Sequence, residues 1–238
     1  MDARTLFETP SLIAVDKPAG VVVVPARGED PAASLWRVLE GRRGERLWVV
    51  HRIDRDTSGV ILFARDAGAH RALSLAWAGG AVRKTYLALV RGGLPAGQGE
   101  VDVALHAARK GRMRPAAPGE AGALPSRTAW RVVRRWDIPG GSVALVEARP
   151  FTGRHHQIRV HMRFLGAPLL VDPVYGRAAS VRAADLGRSG QAACGRLTLH
   201  AARIEFPDPD TGATISVEAP LAADLAEMIA ALDGHCPA

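Results

Sequence analysis

Short apolar runs rich in β-branched residues, bounded by Gly and Pro, recur through this chain of 238 residues and restrict it to folds dominated by strands. They fall at Ser11–Val15, Val21–Val24, Leu47–Val50, Val60–Ala64, Lys84–Val90, Ser142–Glu147 and Leu197–Phe206. Helical spacing is rarer. Ala67–Ala78 puts Leu73 and Trp77 on one face and stops at Gly79-Gly80, and Pro220–Asp233 spaces Leu221, Leu225, Met228 and Leu232 as a helix does. The order of elements lacks a regular βαβ alternation, so the spacing predicts an α+β fold with a mixed, largely antiparallel sheet and flanking helices. No internal repeat or heptad pattern interrupts it, and a single domain over residues 1–238 is expected.

The formal net charge is +7 and the sequence pI is about 10.4, an excess of Arg and Lys that favours a polyanionic partner. Cys194 and Cys236 are the only cysteines, too few for a disulfide framework and without the paired spacing of a zinc site, so both read as free thiols in a reducing compartment. The N-terminal stretch lacks a charged start followed by an apolar run, and no segment approaches the roughly 18 apolar residues of a membrane span. A soluble, cytoplasmic protein without membrane association is expected.

The polar loop His51–Gly59 sits between two apolar runs and crowds Asp54 and Asp56 against Arg52 and Arg55. Turn chemistry explains Asp56, Thr57, Ser58 and Gly59, since Asp and Ser side chains bond nearby amides and Gly accepts unusual dihedrals. It does not explain Asp54 between two arginines directly after a strand. A carboxylate held there beside guanidinium groups is a reasonable nucleophile or base.

The stretch "HRIDRDTSGVILFARD" resembles the signature loop of the RluA-type pseudouridine synthases, with Ile53 where Leu is commoner. Further stretches agree in order along the chain: "LIAVDKPAGVVVVP", "RKTYLALVRG", "RPFTGRHHQIRVHMRFLGAPLLVDPVYG" and "LTLHAARIEFPDP". The resemblance implies a pseudouridine synthase fold with a central catalytic cleft, and a cofactor-free, metal-free isomerisation of uridine in ribosomal or transfer RNA, in a stem-loop context. It implies Asp54 as the catalytic residue, Tyr86 as the ring against the target base, Arg159 as the basic partner of Asp54, and Leu199 as an apolar wall. Arg52 resembles the residue that fills the space of an extruded base, although a phosphate contact suits an arginine equally. Arg154, His156 and Gln157 of the same block are implied to bind substrate. The chain starts almost at once with the catalytic-domain strand, so no separate N-terminal S4-like domain is expected; nor is an oligomer, and a monomer is the expectation.

Read physically, Ile158, Met162 and Leu165 fall at helical spacing, with Thr152 placed to cap the start and Gly166 to end the run. His155, Arg159 and Arg163 would then share one face. A guanidinium projecting from a buried helix requires a carboxylate. His156 and His161 lie five apart, without a His-Glu-x-x-His pattern, and read as hydrogen-bonded structural residues rather than metal ligands. Residues 109–126, rich in Gly, Pro, Arg and Lys, read as a basic, mobile loop, and residues 176–195 look similar. Two other functions fit parts of the pattern. A non-catalytic RNA-binding or assembly protein has no use for a carboxylate facing a polyanion, and a metal-dependent nuclease built on Asp54 and Asp56 requires more acids within reach.

Overall fold

The computed structural model describes residues 3–234 except 26, 27, 29, 95, 96 and 177. In chain order the first elements are β1 (Thr5–Glu8), β2 (Leu12–Lys17), α1 (Leu35–Arg43), β3 (Trp48–Val49), β4 (Ser58–Ala64), α2 (Ala67–Ala78) and β5 (Arg83–Arg91). Next come β6 (Gln98–Asp102), β7 (Leu105–Ala107), β8 (Met113–Pro115), β9 (Arg127–Ile138), β10 (Gly141–Pro150) and α3 (Gln157–Phe164). The chain closes with β11 (Val181–Arg182), β12 (Ala193–Cys194), β13 (Leu199–Pro207), β14 (Thr214–Glu218) and α4 (Ala223–Leu232). Two compact units result, one from Met1–Lys84 with His200–Leu221, the other from Thr85–Leu199 with Ala222–Ala238.

In the first unit β1, β2 and β4 lie side by side and antiparallel, and β3 also pairs with β4. On its other side β4 meets β13 in parallel, His200 opposite Ser58, and β14 pairs antiparallel with β13. Every residue of β4 is buried. That is why its sequence is a continuous apolar run rather than an alternation, as strands covered on both faces are. Helix α2 starts where the Asp66 carboxylate accepts the Ala69 N–H, which satisfies one of the open donors of its first turn. The expected strand Val21–Val24 does not form. The carbonyls of Val22 and Val23 instead accept the N–H groups of Leu35 and Trp36 at the start of α1, so they are unavailable to a sheet ladder.

In the second unit β5, β10, β9 and β6 follow one another, all antiparallel. Ala88, Val90, Ala144, Val146, Ile158, Met162 and Leu169 form the centre of its apolar core, each large side chain contributing about 1.5–3 kcal/mol by leaving water. Helix α4 is tied down at both ends, by the Arg196–Asp224 pair (2.6 and 2.7 Å) and by Trp136 Nε1 donating to Asp233 (2.8 Å). Residues 109–126 are not the aperiodic loop that composition suggests. β7 and β8 form a hairpin turned by Arg109–Gly111, and Glu120 holds the following segment by pairing with Arg114 and accepting the Ala117 N–H. Residues 176–195 likewise carry β11 paired with β12 and a helical turn over Ala183–Leu186.

Candidate active site

The segment carrying Asp54 leaves β3 and enters β4, and it is braced from within the first unit. The Thr57 N–H donates to the Asp54 carbonyl (3.1 Å), closing a turn. The fully buried Lys17 at the end of β2 donates from Nζ to the carbonyls of Pro18, Val21 and Arg55 at 2.7–2.8 Å, and the last of these fixes the residue after Asp54. Gly59 sits at φ +109°, and a Cβ there would stand 2.2 Å from the Ala201 carbonyl oxygen, so close passage of β13 requires glycine. Ser58 Oγ and His200 Nδ1 meet at 2.9 Å, joining the same two strands. Amid this bracing the Asp54 side chain stays half-buried, and Arg52 is exposed.

His51 is part of the brace. Its Nε2 accepts the Leu62 N–H at 3.0 Å and its ring stacks on Trp77 with centroids 4.6 Å apart. Burial, reinforced by the charge of Lys84, pushes its pKa down to about 3, so the ring is neutral and can accept that bond at any ordinary pH. Burial also brings Lys84 down to about 8.

In the second unit Tyr86, half-buried on β5 opposite Ala148, and the buried Leu199 pack into one apolar cluster. The turn before α3 is organised by Gln157. Its amide oxygen accepts from Thr152 Oγ1 (2.7 Å) and the Arg154 N–H (3.0 Å), while its nitrogen donates to the Arg127 carbonyl (3.0 Å) and Thr128 Oγ1 (2.9 Å). The buried Gln157 amide is thus engaged by the protein itself. Thr152 does not cap α3 as expected, because its hydroxyl is taken by Gln157, and the helix begins instead from His156 in the left-handed region at φ 56°. His155 therefore lies outside the helix and does not share a face with Arg159 and Arg163. Gly166, at φ +78°, does lie where the helix ends.

His156 stacks with His155 and places Nδ1 2.8 Å from the Tyr175 hydroxyl. His161 is fully buried, between Thr128 Oγ1 (2.9 Å) and the Val103 carbonyl (3.0 Å), and burial lowers its pKa, so it serves as a neutral internal strut. Arg154 is exposed and donates from Nε to the Pro125 carbonyl.

Arg159 is only 6% exposed, and Asp172 supplies a carboxylate for it: Nε and Nη2 each donate at 2.8 Å to separate oxygens of the acid. Burial works to raise the Asp172 pKa, but the bonds and charge of Arg159, with the N–H groups of Tyr175 and Val174, outweigh it and leave the carboxyl below its usual range. Sequence reading anticipated the need for an acid and missed this one, together with Tyr175, Lys17 and His51. Asp172 and Tyr175 stand in the "VDPVYG" end of the block that carries Arg159.

Residues 11–164 match the family model described as RNA pseudouridylate synthase. The chain is 35% identical over 228 residues to the ribosomal large subunit pseudouridine synthase D of Zymomonas mobilis, covering 92% of this chain and 69% of that one. It is 34% identical to the dual-specificity RNA pseudouridine synthase RluA of Vibrio vulnificus, covering 86% and 77%. Among solved structures, human RNA pseudouridylate synthase domain containing 1 superposes with a TM-score of 0.73 over 99% of this chain and 96% of that one, at 23% identity, a likeness of fold. These matches define an RNA-modifying isomerase. The chain belongs to the RluA-type RNA pseudouridine synthases.

Proposed function

We propose that the chain converts uridine to pseudouridine in ribosomal or transfer RNA, with Asp54 as the essential carboxylate. The observation that carries this reading is the treatment of Asp54: Lys17 pins the adjacent Arg55 carbonyl and the turn bond pins its own, yet its side chain stays half-exposed. A carboxylate held this way meets its target without a reorganisation cost. In the reaction the bond from ribose C1′ to uracil N1 breaks, the base turns, C5 bonds to C1′, and the C5 proton is exchanged for one on N1. Atoms and electrons balance within the nucleotide, so no co-reactant is consumed.

Tyr86 and the Leu199 wall hold the detached base by stacking and apolar contact, and Arg159 supplies the basic group of the site. Arg52 acts at the vacated position in the RNA, where extrusion costs a few kcal/mol of stacking. Arg154 and His156 contact the substrate, and Gln157 shapes the turn that presents them. The enzyme acts as a monomer in the cytoplasm, with the catalytic part spanning the chain. The net charge of +7 supports a polyanionic substrate.

The test is a pseudouridine map, by chemical marking and sequencing, of unmodified ribosomal and transfer RNA treated with wild type or Asp54→Ala. Marks made by wild type alone are the expected result and identify the target. Absence of marks, with RNA bound equally by both proteins, would assign the chain to RNA binding without catalysis.

A further inference from the structure

The segment after α3 carries a polar cluster that the reading above does not use. The Asp172 carboxylate is 1% exposed and accepts four bonds. Oδ2 takes Arg159 Nε–H, and Oδ1 takes Arg159 Nη2–H and the N–H groups of Val174 and Tyr175, at 2.8–3.0 Å. One acid therefore fixes both a guanidinium and the turn that follows it. Two parallel N–H···O bonds to a carboxylate hold a guanidinium in one plane, which a single bond or a point charge does not.

The same turn delivers Tyr175. Its ring lies with the Arg159 guanidinium carbon 5.0 Å from the centroid. Its hydroxyl accepts the Met113 N–H at 2.7 Å, where β8 leaves the turn of the β7–β8 hairpin, and stands 2.8 Å from His156 Nδ1. The hydroxyl therefore bridges the Met113 amide and the His156 ring, and fixes one to the other. Leu105, Met113, Val160 and Tyr175 close an apolar cluster around these bonds.

We propose that Asp172 and Tyr175 are positioning residues for the isomerisation: Asp172 holds Arg159 in its working plane, and the Tyr175 hydroxyl sets the His156 ring against the start of β8 at the turn end of the basic hairpin. The inference rests on the role of Arg159 in catalysis proposed above. It differs from a purely structural role in what each variant should disturb. In Asp172→Asn a carbonyl in the Oδ1 place keeps the two backbone bonds of the turn, while its NH2 faces Arg159 Nε–H, donor against donor. The turn survives and the guanidinium tilts.

The experiment compares wild type, Asp172→Asn, Tyr175→Phe, Arg159→Lys and the Asp172→Asn/Arg159→Lys double variant on an RNA transcript. It reads turnover, KM, circular dichroism, and the side-chain Nε–H signal of Arg159 by 15N NMR. Asp172→Asn is expected to keep the fold and broaden the Arg159 Nε–H signal, lowering kcat about 30-fold with KM within about threefold, since the lost contact acts in the transition state. The double variant should be no slower than about twofold below Arg159→Lys, because residues acting through one another are not additive. Tyr175→Phe should lower kcat about fivefold.

An unaltered Nε–H signal, an unchanged kcat in Asp172→Asn, or losses that multiply in the double variant would overturn the proposal. Should Asp172→Asn fail to fold, Tyr175→Phe decides, and wild-type kcat and KM there would overturn it. If wild type itself makes no pseudouridine, the proposed function falls, while the NMR signal still decides whether Asp172 sets Arg159.

Discussion

The Lys17 ammonium donates to the Arg55 carbonyl at 2.7 Å, so a buried charge at the end of β2 holds the residue next to Asp54. Lys17→Met keeps the apolar stem and leaves the carbonyls of Pro18, Val21 and Arg55 without this donor. Unsatisfied buried acceptors cost about 1–3 kcal/mol each before relaxation, so a net loss of about 3 kcal/mol is expected in urea unfolding. Release of Arg55 should also lower single-turnover pseudouridine formation at least about tenfold, because misplacement of a reacting group is costly.

Acid should destabilise the protein through His51. Its pKa in the folded state is about 3 against 6.5 for the free side chain, so between these values the unfolded chain binds more protons. Stability from this group is present above pH 6.5 and is lost as pH falls towards 3, by about 2 kcal/mol at pH 5. In His51→Gln, chemical denaturation between pH 6.5 and 5 should show a flatter dependence on pH than in wild type.

Gly59→Ala should be among the most damaging small substitutions. The added Cβ meets the Ala201 carbonyl oxygen at 2.2 Å, a backbone atom that moves only if β13 moves, and the φ of +109° is strained for alanine. A loss above about 3 kcal/mol is expected by thermal or urea unfolding.

The turn of the β7–β8 hairpin exposes Arg109, Lys110 and Arg112. Replacing all three with Ala should weaken RNA binding, and the plot of log affinity against log salt should become shallower by about 2, as for loss of two to three phosphate contacts. Filter binding at several salt concentrations measures both. An unchanged slope would place RNA elsewhere.

How far these elements could be read in advance depended on how much of their pattern was local. β4 announces itself because both faces are buried and Val60-Ile61-Leu62-Phe63 is uninterrupted. β9 hides. Its pairing with β10 slips near Val132–Arg134, and the run Val132-Val133-Arg134-Arg135 breaks the alternation that Trp130 and Thr128 begin. For α3 the periodic Ile158 and Met162 were legible, while its start was not, because the Gln157 side chain, rather than position in the sequence, decides where the Thr152 hydroxyl goes.

The candidate site follows the same logic. Asp54, Tyr86 and Arg159 are singled out by short motifs, whereas Asp172 meets Arg159 across 13 residues and a turn with no period to link them. Lys17 stands beside Pro18 with no pattern that marks it as buried, and only its burial in the fold exposes its role as a brace.

The Met113–Tyr175 bond anchors the hairpin where β8 begins, two residues after Gly111, and does not involve the turn Arg109–Gly111 itself. Lengthening such a turn adds little closure entropy, about 0.6 kcal/mol for each doubling. Insertions and charge changes there stay outside the network around Arg159. Residues of the turn can therefore change in charge or number while the Met113–Tyr175 bond and the Arg159–Asp172 pair stay in place.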